Sequence, residues 1–418
     1  MSRAISRSRL VIATLIGNTL EWYEFSLYLH FLPLFSILFF PSSSNVSSLL
    51  YGFMVFAVGF ISRPLGSLFF GSLGDRFGRK FALILTITLM CVPTFCIGLL
   101  PTFAQIGIMA PLLLTLLRLL QGIPSGGEFP GVMCFLVESA GPGQRGWMGS
   151  WAFVGSQIGS IVSTLEIFLL QRKSSIETLT GWDWRLPFII GGLLGLFGWY
   201  LRRSLHETTA FQGIEDRHKL TKTPIRDALR TQSRPLFRGF FLAALPLAGW
   251  YLVFVFSPLY ASQVLGITPE KTLFINILML TLCSILLPFV GKLTSSRHLA
   301  PSALLVALIA PFYFWVSQMN FATFLSLQIL LIFCLSVHFA LLPSVLAELF
   351  PTPVRYTCMG ISYNLCNIFF GGAAPFLALT LFRATASPIP PGLLLSVCAL
   401  VTLLALRTNG RSGRAQEK

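Results

Sequence analysis

Twelve long, mostly apolar runs are separated by short polar turns, at about 10–40, 47–73, 81–100, 106–138, 147–170, 186–203, 237–262, 272–290, 299–317, 322–347, 355–382 and 391–406. A bilayer core about 30 Å thick is crossed by about 20 mostly apolar helical residues, so the runs have the length of spans. Membrane β-barrels are built from alternating segments of about ten residues, a period these continuous runs lack. The pattern predicts an all-α membrane protein with twelve transmembrane helices in two six-helix bundles. The longest polar stretch, 202–238, follows the sixth run. It predicts an N-terminal bundle over 1–203, a linker over 204–236, a C-terminal bundle over 237–406 and a tail over 407–418.

Composition agrees. Hydrophobic residues make up 54% and charged residues 11% of 418, against about 25% charged in soluble domains. Mean hydropathy is +0.76. A soluble globular protein and a disordered chain are excluded, and no nucleic-acid partner is expected, because that needs a basic face on a water-soluble module. Yet 30 Lys and Arg outnumber 15 Asp and Glu, giving +15. With the N-terminus placed inside, 23 of those basic residues fall in inside segments and five in outside loops, while Arg63 and Arg118 lie within spans. That asymmetry predicts that both termini are cytoplasmic. The nine basic residues of 202–238 read as a solvated loop attracted to lipid headgroups. The first run contains Glu21 and Glu24 and exceeds a signal-peptide core in length, so no cleavable leader is expected. Eight cysteines lie in or beside apolar runs without CxxC or Cys/His spacing, so neither disulfides nor a metal site is expected. The tail is too short for a coiled coil.

The halves echo each other. GSLGDRFGRK (71–80) after the second run is matched by GKLTSSRH (291–298) after the eighth. Glu138 precedes Arg145 by seven residues, and Glu348 precedes Arg355 by seven, 210 residues later. Six plus six spans of parallel topology predict two bundles with solute held between them near the midplane.

Ionisable residues inside the runs carry the chemistry, because they are costly at membrane depth. Gly17, Glu21, Glu24 and Tyr28 are spaced 4, 3, 4 and share one helix face. Arg118, Gln121, Ser125 and Glu128 form a second polar stripe, and Gly360, Asn364, Asn367 and Gly371 a third. Together they predict a water-accessible polar path. Glu24 and Arg118 are the expected working pair: a solute carboxylate that takes the guanidinium would release Glu24 to bind a proton. The competing reading is a static ion pair. Glu21 is either the proton carrier or a vestibule residue, and Glu128 is a further proton-coupling candidate or a gate or helix contact. Arg63 is balanced between gating and packing. Arg185 reads as a surface residue, and His338 as a hydrogen-bonded packing residue. Gly155, Gly159 and Ser163 recur every fourth residue and allow close helix packing.

The chain resembles the major facilitator superfamily in GSLGDRFGRK and RLLQGIPSGG (118–127), its signatures after the second span and in the fourth. Within it, GNTLEWYEF (17–25), RPLG (63–66), QGIPSGGE (121–128), WDWRLPF (182–188), AELFPTPVRY (347–356) and the YN and GG that follow resemble the metabolite:proton symporters. PTFCIGLLPTF and RGWMGSW are most similar to the proline/betaine branch. Two departures stand out: Glu24 replaces the usual Asp, and Ser295 stands where the second loop signature has Asp. The osmosensing carriers of the family have a long coiled-coil tail, which this chain lacks. The resemblance implies a bacterial inner-membrane transporter working by alternating access, with the proton gradient as energy source, no cofactor, and protons, a small solute and lipid as partners. It is read as monomeric.

Roles follow on that basis. Arg118, Gln121, Tyr28, Asn364 and Asn367 are the expected solute contacts. Gly71, Asp75, Arg76, Gly78, Arg79, Glu138, Arg145, Glu348 and Arg355 are the expected gating residues, with Asp75 pairing Arg76 or Arg79 when the cytoplasmic side is closed. Glu138 and Glu348 also read as caps or loop ion pairs. The fifth run lacks the Gly-Pro and Gly-pair signature of drug antiporters, which favours uptake. A dicarboxylate needs two cationic clamps, whereas a zwitterion needs one cation plus an acid or an aromatic surface such as Trp22, Tyr23, Tyr28, Trp151, Trp250 or Tyr251. The expected activity is proton-coupled import of a small zwitterion or organic acid. A dicarboxylate symporter and a non-transporting nutrient receptor remain alternatives. A membrane enzyme would need a nucleophile, metal ligands or a catalytic dyad, and none is found.

Overall fold

The computed structural model describes residues 7–41, 45–172, 179 and 181–407. The predicted tail, apart from Arg407, lies outside the described residues, as do Arg3 and Lys173. Every regular element among the described residues is helical. The twelve long helices are α1 (Arg7–Phe39), α2 (Asn45–Phe77), α3 (Arg79–Leu99), α4 (Met109–Glu138), α5 (Arg145–Gln171), α6 (Arg185–Arg203), α7 (Ser233–Gln263), α8 (Pro269–Leu293), α9 (Leu299–Val316), α10 (Phe321–Leu349), α11 (Thr352–Thr385) and α12 (Ile389–Arg407). Nine of them are apolar enough to cross a membrane by length and composition. The other three, α1, α4 and α6, carry Glu21, Glu24, Arg118, Glu128 and Arg202, whose charges dilute their apolar character.

Two differences from the sequence reading matter. The polar turn expected over 71–80 is almost wholly helical: α2 continues through Phe77, and a single residue, Gly78, breaks the chain before α3. Gly78 has φ of +106°, a conformation that glycine adopts without steric cost. Glu207 accepts from the Lys80 N–H at 3.0 Å and so serves one of the free amides at the start of α3. The linker is partly ordered, with short helices Thr209–Glu215 and Pro224–Thr231.

The described residues fall into two compact units. Unit 1 draws on Met1–Ser139, Val154–Ala228 and Thr352–Gly360; unit 2 draws on Ala140–Phe153, Leu229–Pro351 and Ile361–Lys418. In unit 1, glycines bring α2 and α4 into backbone contact. A Cβ on Gly66 would strike the Ile123 carbonyl, and one on Gly126 would strike the Arg63 carbonyl. Small residues permit such contact where lipid gives helices no hydrophobic reason to associate. This packing fixes the heights of Arg63 on α2 and of Arg118 and Gln121 on α4. Gly66→Ala is expected to push the helices apart, because the groups it meets are backbone. Overpacking of this kind costs about 1–3 kcal/mol, measurable as a lower thermal midpoint of the purified protein in detergent.

Unit 2 contains two π-helical stretches, Leu252–Phe256 within α7 and Asn367–Gly372 within α11. Such bulges leave backbone groups off the regular ladder and often mark functional positions. His338 on α10 lies 3.0 Å from Ser302 on α9, so its ring has a hydrogen-bond partner inside the packing.

Candidate functional site

The stripe of α1 predicted from its 4, 3, 4 spacing is buried in unit 1. Glu21, Glu24 and Tyr28 are each no more than 3% exposed. Arg118 and Gln121 of α4 are buried with them. The structure puts Gln121 between Glu24 and Arg118. Arg118 Nη1 donates to Gln121 Oε1 at 2.9 Å, and Gln121 Nε2 donates to Glu24 Oε2 at 3.0 Å and to Thr94 Oγ1 at 2.9 Å. Gln121 is thus fully oriented by an acid, a hydroxyl and a cation. Arg118 rests on the Tyr28 ring, 4.3 Å from its centroid, with Phe56 at 5.9 Å. Its Nε has no hydrogen-bond partner among the described residues, nor does Glu24 Oε1. Arg118 therefore forms no ion pair with a carboxylate of the described residues. A buried guanidinium presenting donors in a fork matches an incoming carboxylate.

Arg63 is engaged differently. Its Nη1 lies 3.1 Å from Glu21 Oε1, and its guanidinium sits 4.9 Å from the Phe60 ring centroid. Glu21 and Arg63 neutralise one another beside the Arg118 line.

Glu128, last in the α4 stripe, is held by a residue that the charge count placed in the polar stretch 202–238. Arg202 at the end of α6 is fully buried. Its Nη2 donates to Glu128 Oε1 and its Nη1 to Glu128 Oε2, the latter at 2.9 Å. The remaining guanidinium hydrogens go to the carbonyls of Leu83, Thr14 and Ala13 at 2.6, 2.8 and 3.4 Å. Thr86 donates to the same carboxylate. Gly17 leaves the space: a Cβ there would lie 2.6 Å from Arg202 Cζ.

A second polar stripe on α1 escaped the sequence reading. Thr19, Tyr23, Ser26 and His30 repeat the 4, 3, 4 spacing two residues out of phase, which places them on the opposite face of the helix. They meet α5. Thr19 donates to the Gly155 carbonyl at 3.1 Å, Ser26 to Ser160 at 3.1 Å, and His30 lies 3.4 Å from Thr164. Tyr23 Oη lies 2.8 Å from Glu166 Oε2 and 2.8 Å from the Pro187 carbonyl of α6. Gly159 and Gly191 admit α1 this closely, since a Cβ on either would press on Tyr23.

The expected gating residues form two unequal clusters. In unit 1, Asp75 accepts the Tyr356 and Thr357 N–H groups at 3.1 and 2.9 Å, an anion at the N-terminal end of a helix, and pairs with Arg79 at 3.2 Å. Arg76 lies instead over the Phe77 ring. Arg79 donates to both oxygens of Glu138, at 3.0 and 3.2 Å, and to the Thr352 carbonyl at 2.7 Å. Arg355 and Thr208 each donate to Glu138 at 2.7 Å. Gly71 permits the approach, for a Cβ there would lie 2.7 Å from Thr357 Cα. In unit 2, Arg145 and Glu348 pair at 3.5 Å with more than half of each side chain exposed. Such a surface pair contributes about 0–1 kcal/mol. The repeated Glu and Arg therefore pair crosswise: each glutamate takes the arginine of the other repeat. Ser295, at the Asp75 position of the second repeat, turns back to cap its own turn with His298.

Asn364 and Asn367 are buried in unit 2. Neither side-chain atom of Asn367 has a hydrogen-bond partner among the described residues, and Gly371 sets it beside Tyr251. Arg185, read as a surface residue, donates to the Gly98 and Leu100 carbonyls at 3.0 and 2.8 Å and closes the end of α3.

Known proteins resemble this chain in sequence and in fold. A sequence profile of the Major Facilitator Superfamily matches residues 14–375. The proline/betaine transporter of Salmonella typhimurium is 30% identical, over 94% of this chain and 81% of that protein. The citrate-proton symporter of Klebsiella pneumoniae is 31% identical, over 93% of this chain and 88% of that one. Among solved structures, the proton:xylose symporter XylE bound to 6-bromo-6-deoxy-D-glucose superposes with a TM-score of 0.80 over 96% of this chain and 95% of that one, at 15% identity, a likeness of fold alone. These matches, the twelve long helices and the paired signatures make one conclusion: the chain belongs to the major facilitator superfamily of membrane transporters.

Proposed function

We propose that this protein imports a small carboxylate-bearing solute, a zwitterion such as proline or betaine before a dicarboxylate, together with protons. The observation that carries the reading is the line Arg118–Gln121–Glu24, in which the buried cation has no carboxylate of its own among the described residues. A solute carboxylate docking on Arg118 draws on the donors that orient Gln121. Gln121 in turn holds Glu24, so filling one end of the line is felt at the other. Glu24 is the proton carrier in this scheme, with Glu21 as second candidate, while Tyr28 backs the guanidinium and Asn364 and Asn367 are the remaining candidate solute contacts. Binding of solute and proton drives the cycle only through a difference in affinity between its conformations.

That Arg118 has no carboxylate partner among the described residues, while Arg63 has one, supports the zwitterion. Arg63, the other span guanidinium beside the site, is already neutralised by Glu21. The named solutes of the relatives above, proline, betaine and citrate, all carry carboxylates. The 23-to-5 division of basic residues supports an inner-membrane orientation with both termini cytoplasmic. The Asp75, Arg79, Glu138 and Arg355 cluster is the gate of this scheme, and 204–236 the link between the two bundles.

The test is uptake of labelled proline, betaine, citrate and 2-oxoglutarate into proteoliposomes under an imposed pH gradient. Accumulation of a zwitterion that a protonophore abolishes is expected. Preference for 2-oxoglutarate or citrate would overturn the zwitterion, and binding without flux would make the protein a receptor. Glu24→Gln is expected to lose gradient-driven accumulation while retaining solute exchange across the membrane, because its amide still accepts from Gln121 but carries no proton. Normal accumulation by that variant would remove Glu24 from the carrier role.

A further inference from the structure

Two unshared hydrogen bonds at Tyr23 Oη take one hydrogen more than the tyrosine owns. A phenol has a single O–H, and a peptide carbonyl only accepts. Tyr23 Oη is 2.8 Å from the Pro187 carbonyl and 2.8 Å from Glu166 Oε2. If the phenol hydrogen goes to the carbonyl, the hydrogen between Tyr23 and Glu166 belongs to the carboxyl. We propose that Glu166 is a proton-binding site separate from the Arg118–Gln121–Glu24 line: its carboxyl takes up one proton and donates it to Tyr23 Oη, while Tyr23 donates to Pro187.

The surroundings suit such a site. Glu166 lies within the apolar α5 between the exposed leucines Leu165 and Leu169, where an ionised carboxylate is costly. It is half-buried, whereas Glu21, Glu24, Glu128 and Glu138 are all buried. From α1 it is met by Tyr23, with His30 further along the same seam bound to Thr164, while Glu24 faces the opposite side of that helix. Just past the end of α5 the nearest charge in sequence is Arg172, which lies over the Phe168 ring. From α6, Arg185 is committed to Trp184 and to the Gly98 and Leu100 carbonyls. Among these groups none forms an ion pair with Glu166. The proton it binds joins three helices at one oxygen, α5 through the carboxyl, α1 through Tyr23 and α6 through Pro187.

Dicyclohexylcarbodiimide, an apolar reagent that attacks protonated carboxyls, tests this on the full-length wild-type protein in proteoliposomes. Glu166 is the only acidic residue between the tryptic sites Arg145 and Arg172, so mass added to peptide 146–172 reports on it alone. Labelling of that peptide at neutral pH is expected, falling as the reaction pH is raised and lost in Glu166→Gln. It is expected to persist in Glu24→Gln, because the two sites lie on opposite faces of α1. An unlabelled 146–172 peptide in the wild type, with label on the peptide carrying Glu21 and Glu24, overturns the proposal: Glu166 is then an ordinary carboxylate that accepts the tyrosine hydrogen. Disappearance of the 146–172 label in Glu24→Gln overturns the separateness of the two sites. The wild-type peptide decides the main point even if either variant fails to fold.

Discussion

Arg118→Ala is expected to remove solute uptake while leaving the protein folded. Truncating one partner of a desolvated charge pair costs about 2–5 kcal/mol of binding, which is about 30-fold to several thousand-fold in affinity. The loss falls on solute binding because Arg118 has no carboxylate partner among the described residues for its removal to strand. Gln121 keeps Thr94 and Glu24, and Tyr28 retains its own hydrogen bond to the Gly52 carbonyl at 3.2 Å. Arg118→Lys keeps the charge but loses both the fork and the stacking on Tyr28, so a loss of about tenfold or more is expected from the difference between a planar guanidinium and a point charge. Solute affinity by isothermal titration and the thermal midpoint in detergent, measured together, check the claim. A variant that unfolds at a markedly lower temperature would show that Arg118 is structural.

What could be read in the sequence depended on how unusual each residue is in a span. Glu21, Glu24 and Arg118 stand out because charge is rare at that depth, and their spacing placed them on facing stripes. Spacing does not say which side chain lies between two others, so only the folded structure reveals Gln121 between Glu24 and Arg118. Thr19, Tyr23, Ser26 and His30 have the same period, but hydroxyl residues are ordinary in membrane helices, and Tyr23 stands out in the sequence only as an aromatic ring. Their partner Glu166 is a lone acid without a pattern around it. Arg202 was hidden for the opposite reason. It is followed by Arg203 at the end of a span, where basic residues are expected to mark the cytoplasmic face, and only Arg203 is exposed. The usable signal was the helix face shared by Gly191, Gly195, Gly198 and Arg202, spaced 4, 3, 4 and all buried. Asp75 was legible as a motif residue, but two of its partners are backbone N–H groups of Tyr356 and Thr357, which no side-chain pattern announces. The turn over 71–80 was misread because Gly71 and Gly74 serve close packing, while Gly78 alone bends the chain.

Arg202→Met is expected to destabilise the protein by about 3–5 kcal/mol, the usual cost of leaving a buried charge without its partner. Glu128 would keep only Thr86, and the carbonyls of Leu83 and Thr14 would each lose the hydrogen bond from Arg202. Arg202→Met combined with Glu128→Met should recover much of the loss, because apolar residues of similar size can replace a buried ion pair at little net cost. The double-mutant cycle on thermal midpoints isolates the pair from the carbonyl contacts. It also decides what Glu128 does. If the pair is a pin between α4 and α6, stability falls in either single variant and returns in the double. If Glu128 instead carries a proton during transport, Glu128→Gln will leave the midpoint near wild type and abolish gradient-driven accumulation. Arg118 and Arg202 are both buried guanidiniums of unit 1, so their expected difference rests on partners alone: one has no carboxylate among the described residues and so has capacity for a ligand, and the other directs every hydrogen it carries to the protein itself.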